Sequence, residues 1–173
     1  EAKAADLAKL RKLQAQQKQI KEMLRRRAAA AMRRSNGLAG PSNGILVHPV
    51  NTYVTSPFGY REHPIYHYWG LHDGVDFGGG CGVPMVAGAD GRVIGSYWSD
   101  VYGNRLIIDY GVQAGVSLAS IYNHASNYTV GVGARVSRGE VIGYTGDTGW
   151  STACHLHFTV MANGKAVDPM KWF

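Results

Sequence analysis

Residues 153 to 159 read "ACHLHFT", a short apolar run that carries two histidines at alternate positions. In an extended strand, side chains two residues apart share a face, so His155 and His157 point the same way, about 7 Å apart. Leu156 and Phe158 then point to the opposite face, towards an apolar core. Two imidazoles on one face of a buried strand each need hydrogen-bond partners, so the stretch predicts a strand with one core face and one reactive face.

Further short runs of β-type composition follow one another through the second part of the chain, separated by turn-forming residues. None of the 23 glycines precedes Gly37. Because no long amphipathic helical pattern interrupts these runs, the sequence predicts a mainly β, Gly-rich, antiparallel domain over residues 45–173. The predicted strands are residues 45–50, 83–88, 92–98, 105–110, 116–122, 135–144 and 155–161.

The first 36 residues differ in composition, being rich in Ala, Leu, Lys, Arg and Gln and free of Gly and Pro. This composition predicts a long helix over residues 1–36, followed by a linker at 37–44. A coiled-coil-like seam of three- and four-residue steps joins Leu10, Leu13, Gln17, Ile20, Leu24, Arg27 and Ala31. We therefore expect the helix to bury this stripe against a coiled-coil partner or by self-association.

The positive charge of the chain is concentrated in this helix. Residues 1–36 contain 11 of the 18 Lys and Arg residues but only 3 of the 12 Asp and Glu residues. Nucleic-acid binding is nevertheless not expected, because the helix has no aromatic side chain to stack on single-stranded bases. An anionic wall polymer or a membrane surface is a better candidate partner. No apolar run approaches the roughly 18 residues needed to cross a bilayer.

A second group of candidate ligands stands in "LHDGVDF", residues 71–77. His72 and Asp76 are four residues apart and share a face, whereas Asp73 is expected to lie off that face. Imidazole nitrogen and carboxylate oxygen suit a borderline metal such as zinc, and three protein ligands leave a fourth position open for catalysis. His72, Asp76 and one histidine of the pair at 155 and 157 form such a set.

Hydrolysis at such a site also requires groups that accept and donate protons. Imidazoles with a pKa near neutrality suit both roles. The second histidine of the pair and His124, in "IYNHAS", are the candidates for them.

Four segments in this order resemble the lysostaphin-type (M23) zinc endopeptidases, which cut peptidoglycan. The segments are "SPFGYREHP" (56–64), "LHDGVDF" (71–77), "YNHAS" (122–126) and "TGDTGWSTACHLHF" (145–158). The resemblance runs from about Val47 to the C-terminus and implies the Gly-rich antiparallel β-sheet domain of that family. It also implies one Zn²⁺ ion held by His72, Asp76 and His157, with His155 and His124 as catalytic histidines.

The resemblance also bears on the two cysteines of the chain, which by themselves allow either a disulfide or two buried thiols. Cys81 follows the first metal-binding segment and Cys154 precedes the second, so one shared zinc would bring them together. We therefore predict a Cys81–Cys154 disulfide and an extracytoplasmic location, secreted or associated with the cell wall. Because Glu1 is not a methionine, we interpret the chain as a processed product, part of a larger or phage-encoded protein.

The resemblance implies a zinc-dependent metalloendopeptidase that hydrolyses peptide bonds in the stem peptides or cross-bridges of bacterial peptidoglycan. Tyr66, Tyr68 and Trp69 are candidates for lining the substrate groove. The alternative is a catalytically silent M23-like module that regulates or binds a partner through its helical segment. A further hypothesis is that the helix covers the groove and holds the enzyme inactive.

Overall fold

The computed structural model describes residues 2–34, 43–63 and 67–173. One long helix, α1 (Ala2–Arg34), precedes the β-strands, as the predicted fold class requires. Most of the linker predicted at 37–44 lies outside the described residues. Among the residues described, no helix is both long and apolar enough to span a membrane.

Thirteen strands make up the described β-structure, which confirms the predicted mainly β, antiparallel class. In chain order they are β1 (Val54–Ser56), β2 (Gly59–Glu62), β3 (Trp69–His72), β4 (Val75–Phe77), β5 (Pro84–Val86), β6 (Gly91–Ser99), β7 (Gly103–Gln113), β8 (Val116–Ala125), β9 (Asn127–Tyr128), β10 (Arg135–Val136), β11 (Val141–Tyr144), β12 (Leu156–Ala162) and β13 (Lys165–Val167). A short 3₁₀ helix, Pro169–Lys171, follows the last strand.

The main sheet places the strands in the order β1, β4, β12, β8, β7, β6 and β10, with β13 also paired to β12. Strands β5, β11 and β9 form a three-stranded sheet, and β2 and β3 form a hairpin. One face of the main sheet packs on an apolar core that includes Val75, Phe77, Tyr122, Leu156 and Phe158, all at most 1% exposed. This burial of Leu156 and Phe158 agrees with the alternation predicted for β12.

Helix α1 covers the other face of the main sheet. Its Ile20 and Leu24 pack against apolar side chains of β7, β8 and β12, among them Ile107, Ile121 and Met161. Part of the stripe that predicted a partner helix, Ile20 and Leu24, is therefore buried within the chain, because the outer face of the sheet is itself apolar. A coiled-coil partner or self-association stays a prediction. Coverage on both faces also explains why Leu106, Ile107 and Ile108 follow one another in β7 without a polar residue between them.

Two of the predicted strands differ in the structure. Residues 45–50 form only an isolated bridge between Val50 and Met85, since Pro49 has no N–H to continue a ladder. The predicted strand at 135–144 is split into β10 and β11 by a turn in which Gly139 has a φ of 81°. That left-handed conformation costs glycine little, which lets the chain turn there.

Candidate metal centre

Three predicted ligands converge at the end of the main sheet. Strand β12 pairs with β4 so that His157 lies opposite Asp76, and His72 ends the neighbouring strand β3. His157 Nδ1 lies 2.9 Å from Asp76 Oδ1 and 3.2 Å from His72 Nε2, and His72 Nε2 lies 3.3 Å from Asp76 Oδ1. Ligand atoms bonded to one tetrahedral zinc ion stand about 3.3 Å apart, so this triangle has the dimensions of a zinc site.

The glycine of the "HDGVD" turn lets these strands approach. A Cβ atom added to Gly74 would lie 2.4 Å from the carbonyl oxygen of Phe158 in β12. Any side chain at position 74 would therefore push β4 away from β12. Such a displacement would separate Asp76 from His157, so the glycine is part of what assembles the site.

Hydrogen bonds determine which nitrogen of each ligand histidine faces the centre. His72 Nδ1–H donates to the carbonyl oxygen of Pro57 at 2.7 Å, which leaves Nε2 for the metal. His157 Nε2 lies 3.0 Å from Asp73 Oδ1, which leaves Nδ1 for the metal. Both imidazoles thus turn the nitrogen that would bind a metal towards Asp76 Oδ1. Asp73 does not belong to the ligand triangle, and its carboxylate lies behind His157, on the side away from the metal position.

The charges of the centre perturb each other strongly. Burial lowers the pKa of His157, but its hydrogen bonds to Asp73 and Asp76 and their negative charges outweigh burial and raise it to about 9. Burial raises the pKa of Asp76, but the hydrogen bonds and positive charges of His157 and His72 place it well below its usual range. In the metal-free protein the centre therefore holds a proton that a cation would displace.

The two predicted catalytic histidines lie beside this triangle, with ring centroids 4.6 Å apart. His124 Nδ1–H donates to the carbonyl oxygen of Thr148 at 2.6 Å, and His155 Nδ1–H donates to that of Ala153 at 2.9 Å. Each histidine therefore keeps Nε2 free of these bonds. His155 Nε2 lies 3.8 Å from Asp76 Oδ1, within reach of anything bound at the triangle.

His124 occupies an unusual backbone conformation, with a φ of 63°. A non-glycine residue in the left-handed region is strained by about 1–3 kcal/mol and such strain concentrates at functional sites. Burial and the positive charges of His157 and His155 lower the pKa of His124 to about 3, against the opposing bond to Thr148. The His124 side chain is therefore neutral at neutral pH.

A disulfide joins Cys81 to Cys154, with their Cα atoms 5.0 Å apart. It ties the loop that follows β4 to the segment that leads into β12. The two segments that carry Asp76 and His157 are thus covalently braced, as the sequence analysis predicted.

A family model described as "Peptidase family M23" matches residues 70–169, which include the three residues of the ligand triangle and both flanking histidines. The chain belongs to peptidase family M23. A relative named DD-carboxypeptidase/endopeptidase Mpg, from Neisseria meningitidis, is 41% identical over 130 residues, 73% of this chain and 29% of that protein. The chain thus spans less than a third of that relative.

Two solved structures resemble the M23 domain. The catalytic domain of lysostaphin from Staphylococcus simulans superposes with a TM-score of 0.60 and 37% identity, covering 69% of this chain and 90% of that one. A zinc-containing peptidase from Vibrio cholerae superposes with a TM-score of 0.66 and 33% identity, covering 80% and 42%. The second likeness agrees with a zinc-sized ligand triangle.

The M23 centre opens into a cleft of about 740 Å³. Its floor includes the ligand triangle, and one wall is formed by α1 through Leu13, Gln14, Gln17, Lys18, Lys21 and Arg25. The helix therefore lines the cleft and leaves space in front of the metal centre. Of the three residues predicted to line a groove, Tyr68 does so, whereas Trp69 is 73% exposed and does not line the cleft. Tyr66 lies outside the described residues.

The helical wall of the cleft is cationic. Lys18, Lys21 and Arg25 form no ion pair with any of the described residues, while the nearby Glu22 is paired with Arg26 at 3.1 Å. These three side chains therefore present uncompensated positive charge to the cleft. We call them the cationic wall.

Sequence reasoning missed several side chains that support the centre. Gln17 of α1 donates to Asp73, and the guanidinium of Arg105 lies 4.3 Å from the centroid of the Tyr102 ring beneath it. The one sequence signal was Gln17 itself, a polar residue within an otherwise mostly apolar helical stripe. Nothing local in the sequence marked Arg105, which is 1% exposed within the apolar run of β7.

Proposed function

We propose that the chain is a zinc-dependent endopeptidase that hydrolyses peptide bonds in the stem peptides or cross-bridges of peptidoglycan. The observation that carries this proposal is the triangle of His72 Nε2, Asp76 Oδ1 and His157 Nδ1, flanked by two further histidines at an open cleft. Two nitrogens and one oxygen at this spacing fit zinc, and they leave a position free for substrate. When bound, zinc would polarise the scissile carbonyl and acidify a water molecule.

The chain's own residues account for the proton transfers. In the hydrolysis, the oxygen of water bonds to the carbonyl carbon, the C–N bond breaks, and a proton from the water passes to the leaving amine. His155 Nε2 receives and delivers this proton, because it faces the triangle while its Nδ1–H is held by Ala153. His124 stays neutral and orients the reacting groups through Nε2, since its low pKa makes it a poor proton carrier.

The substrate class rests on the relatives. Their names include the peptidoglycan DD-endopeptidase ShyA of Vibrio cholerae, 35% identical over 111 residues, besides Mpg and lysostaphin. The disulfide supports an extracytoplasmic location, where peptidoglycan lies, because such bonds persist in oxidising compartments. A catalytically silent module would not need five convergent groups, so we favour the enzyme.

The decisive experiment is digestion of purified peptidoglycans of defined cross-link, with the released fragments identified by mass spectrometry. We expect new amine and carboxyl termini in a stem peptide or cross-bridge, loss of their release after chelation, and recovery with added Zn²⁺. A zinc-loaded, folded chain that releases no fragment from any of these peptidoglycans would overturn the proposal.

A further inference from the structure

A chain of hydrogen bonds connects the metal centre to the N-terminal helix. It begins at Asp73, whose side chain is 18% exposed and whose Oδ1 lies 3.0 Å from His157 Nε2. The other carboxylate oxygen, Oδ2, accepts from Gln17 Nε2 of α1 at 3.1 Å. Asp73 therefore bridges a metal ligand and a helix that is 56 residues away in sequence from it.

The orientation of the Gln17 amide is determined by its surroundings. Its Oε1 accepts from Arg105 Nη2 at 3.3 Å, so the opposite end must be the NH₂ group. That group donates to Asp73 and lies 2.6 Å from the hydroxyl oxygen of Tyr102. Arg105 itself is buried and its guanidinium lies 4.3 Å from the centroid of the Tyr102 ring, so the two partners of the amide also contact each other.

The bond from His157 to Asp73 has a specific consequence for the metal. A neutral imidazole that donates Nε2–H to a carboxylate has its lone pair on Nδ1, and Nδ1 is the atom of the ligand triangle. Thr159 Oγ1 also lies near Nε2, at 3.3 Å, but a hydroxyl is a weaker acceptor than a carboxylate. Asp73 is thus the group that holds the His157 ring in its metal-binding orientation.

We infer that Asp73 is a positioning residue of the metal centre. Helix α1 contributes to the same centre, because Gln17 holds Asp73 in place and Asp73 in turn holds the ligand His157. The helix is then a structural part of the centre and tunes how tightly the metal is held. This inference rests on the metal site of the proposed function and on no property of the substrate.

The test measures the zinc dissociation constant of the full chain by competition with a chromogenic chelator. Removing a group that hydrogen-bonds to a metal ligand typically weakens metal binding about 10- to 100-fold, and we expect this loss of affinity for Asp73→Ala. Asp73→Asn retains a neutral acceptor and should recover part of the loss. Gln17→Ala should weaken binding less, and Gln19→Ala, an exposed glutamine on the same helix, should leave it unchanged.

A second readout separates positioning from simple destabilisation. The visible absorption of the Co²⁺-loaded protein reports ligand geometry, and we expect it to change in Asp73→Ala and not in Gln19→Ala. If Asp73→Ala does not fold, Asp73→Asn and Gln17→Ala carry the same test. Wild-type affinity and an unchanged Co²⁺ spectrum in the folded Asp73 and Gln17 variants would overturn the inference alone. A wild-type chain that binds no zinc would overturn the proposed function as well.

Discussion

His157 and Asp76 face each other across the paired strands β12 and β4, with His157 Nδ1 2.9 Å from Asp76 Oδ1. Strand register therefore sets the distance between two metal ligands that are 81 residues apart in sequence. Replacing His157 with Ala leaves only two protein ligands. We expect zinc affinity to fall by more than the roughly 100-fold that follows from removing a hydrogen-bond partner of a ligand. Metal content after dialysis measures this, and stoichiometric zinc in His157→Ala would contradict it.

His155 should be required for catalysis but not for zinc binding. Its Nε2 reaches the triangle without belonging to it, so His155→Ala should retain zinc while kcat falls by about 10²- to 10⁴-fold. Zinc analysis and peptide-release kinetics on the same preparation test both statements. Loss of zinc together with activity would instead make His155 a ligand.

Zinc affinity should rise with pH across the range set by His157. The pKa of this histidine is raised from 6.5 to about 9, so below pH 9 zinc must displace a proton. We expect affinity to increase by about tenfold per pH unit up to that point and then to level off. Chelator competition at several pH values measures the slope.

The stability of the metal-free protein should fall as pH rises, whereas zinc affinity rises. A pKa that is raised in the folded state stabilises it fully below 6.5, and this contribution is lost as pH rises through about 9. Thermal unfolding of the metal-free chain should therefore give a lower midpoint at pH 9 than at pH 6.5. A higher midpoint at pH 9 would show that His157 is not protonated in the folded protein.

The Cys81–Cys154 disulfide closes a loop of 73 residues, which by chain entropy stabilises the fold by about 4 kcal/mol. The double substitution Cys81→Ser and Cys154→Ser should lower the free energy of unfolding by an amount of this order. Denaturant titration measures it, with the reduced wild-type chain as the matched comparison. Equal stability of the oxidised and substituted proteins would contradict the prediction.

The cationic wall should favour substrates with free carboxylates. Replacing Lys18, Lys21 and Arg25 together with Ala should raise KM for such a peptide by about tenfold, as three partly screened charges are lost. For a matched peptide in which those carboxylates are amidated, the same variant should leave KM nearly unchanged. Lys3, Arg33 and Arg34, exposed residues outside the cleft, supply a control triple with the same change in charge. An equal effect from both triples would point to net charge alone.

Patterns within one segment predicted the centre well. The alternation of His155 and His157 in β12 and the four-residue spacing of His72 and Asp76 are local properties, and the structure brings these groups together. The contacts of Asp73 could not be predicted in this way, because its partners His157 and Gln17 come from distant segments of the chain.

Relationships between distant segments were harder to predict. The stripe of α1 predicted burial correctly, but it could not say which surface would cover Ile20 and Leu24. The covering surface is the outer face of β7, β8 and β12. The apolar residues of this face are equally consistent, in the sequence, with burial in a β-sandwich. The role of Gln17 follows from that docking and was invisible for the same reason.

The packing of α1 on the sheet determines where the chain can be truncated without exposing apolar surface. A cut in the segment between helix and strands would leave Ile107, Ile121 and Met161 facing water as a continuous apolar patch, and such patches promote aggregation. A boundary drawn from composition alone, between a basic helix and a Gly-rich domain, would therefore pass through a single hydrophobic interface. We therefore expect a fragment without the helix to aggregate and one that keeps the helix to remain dispersed in solution.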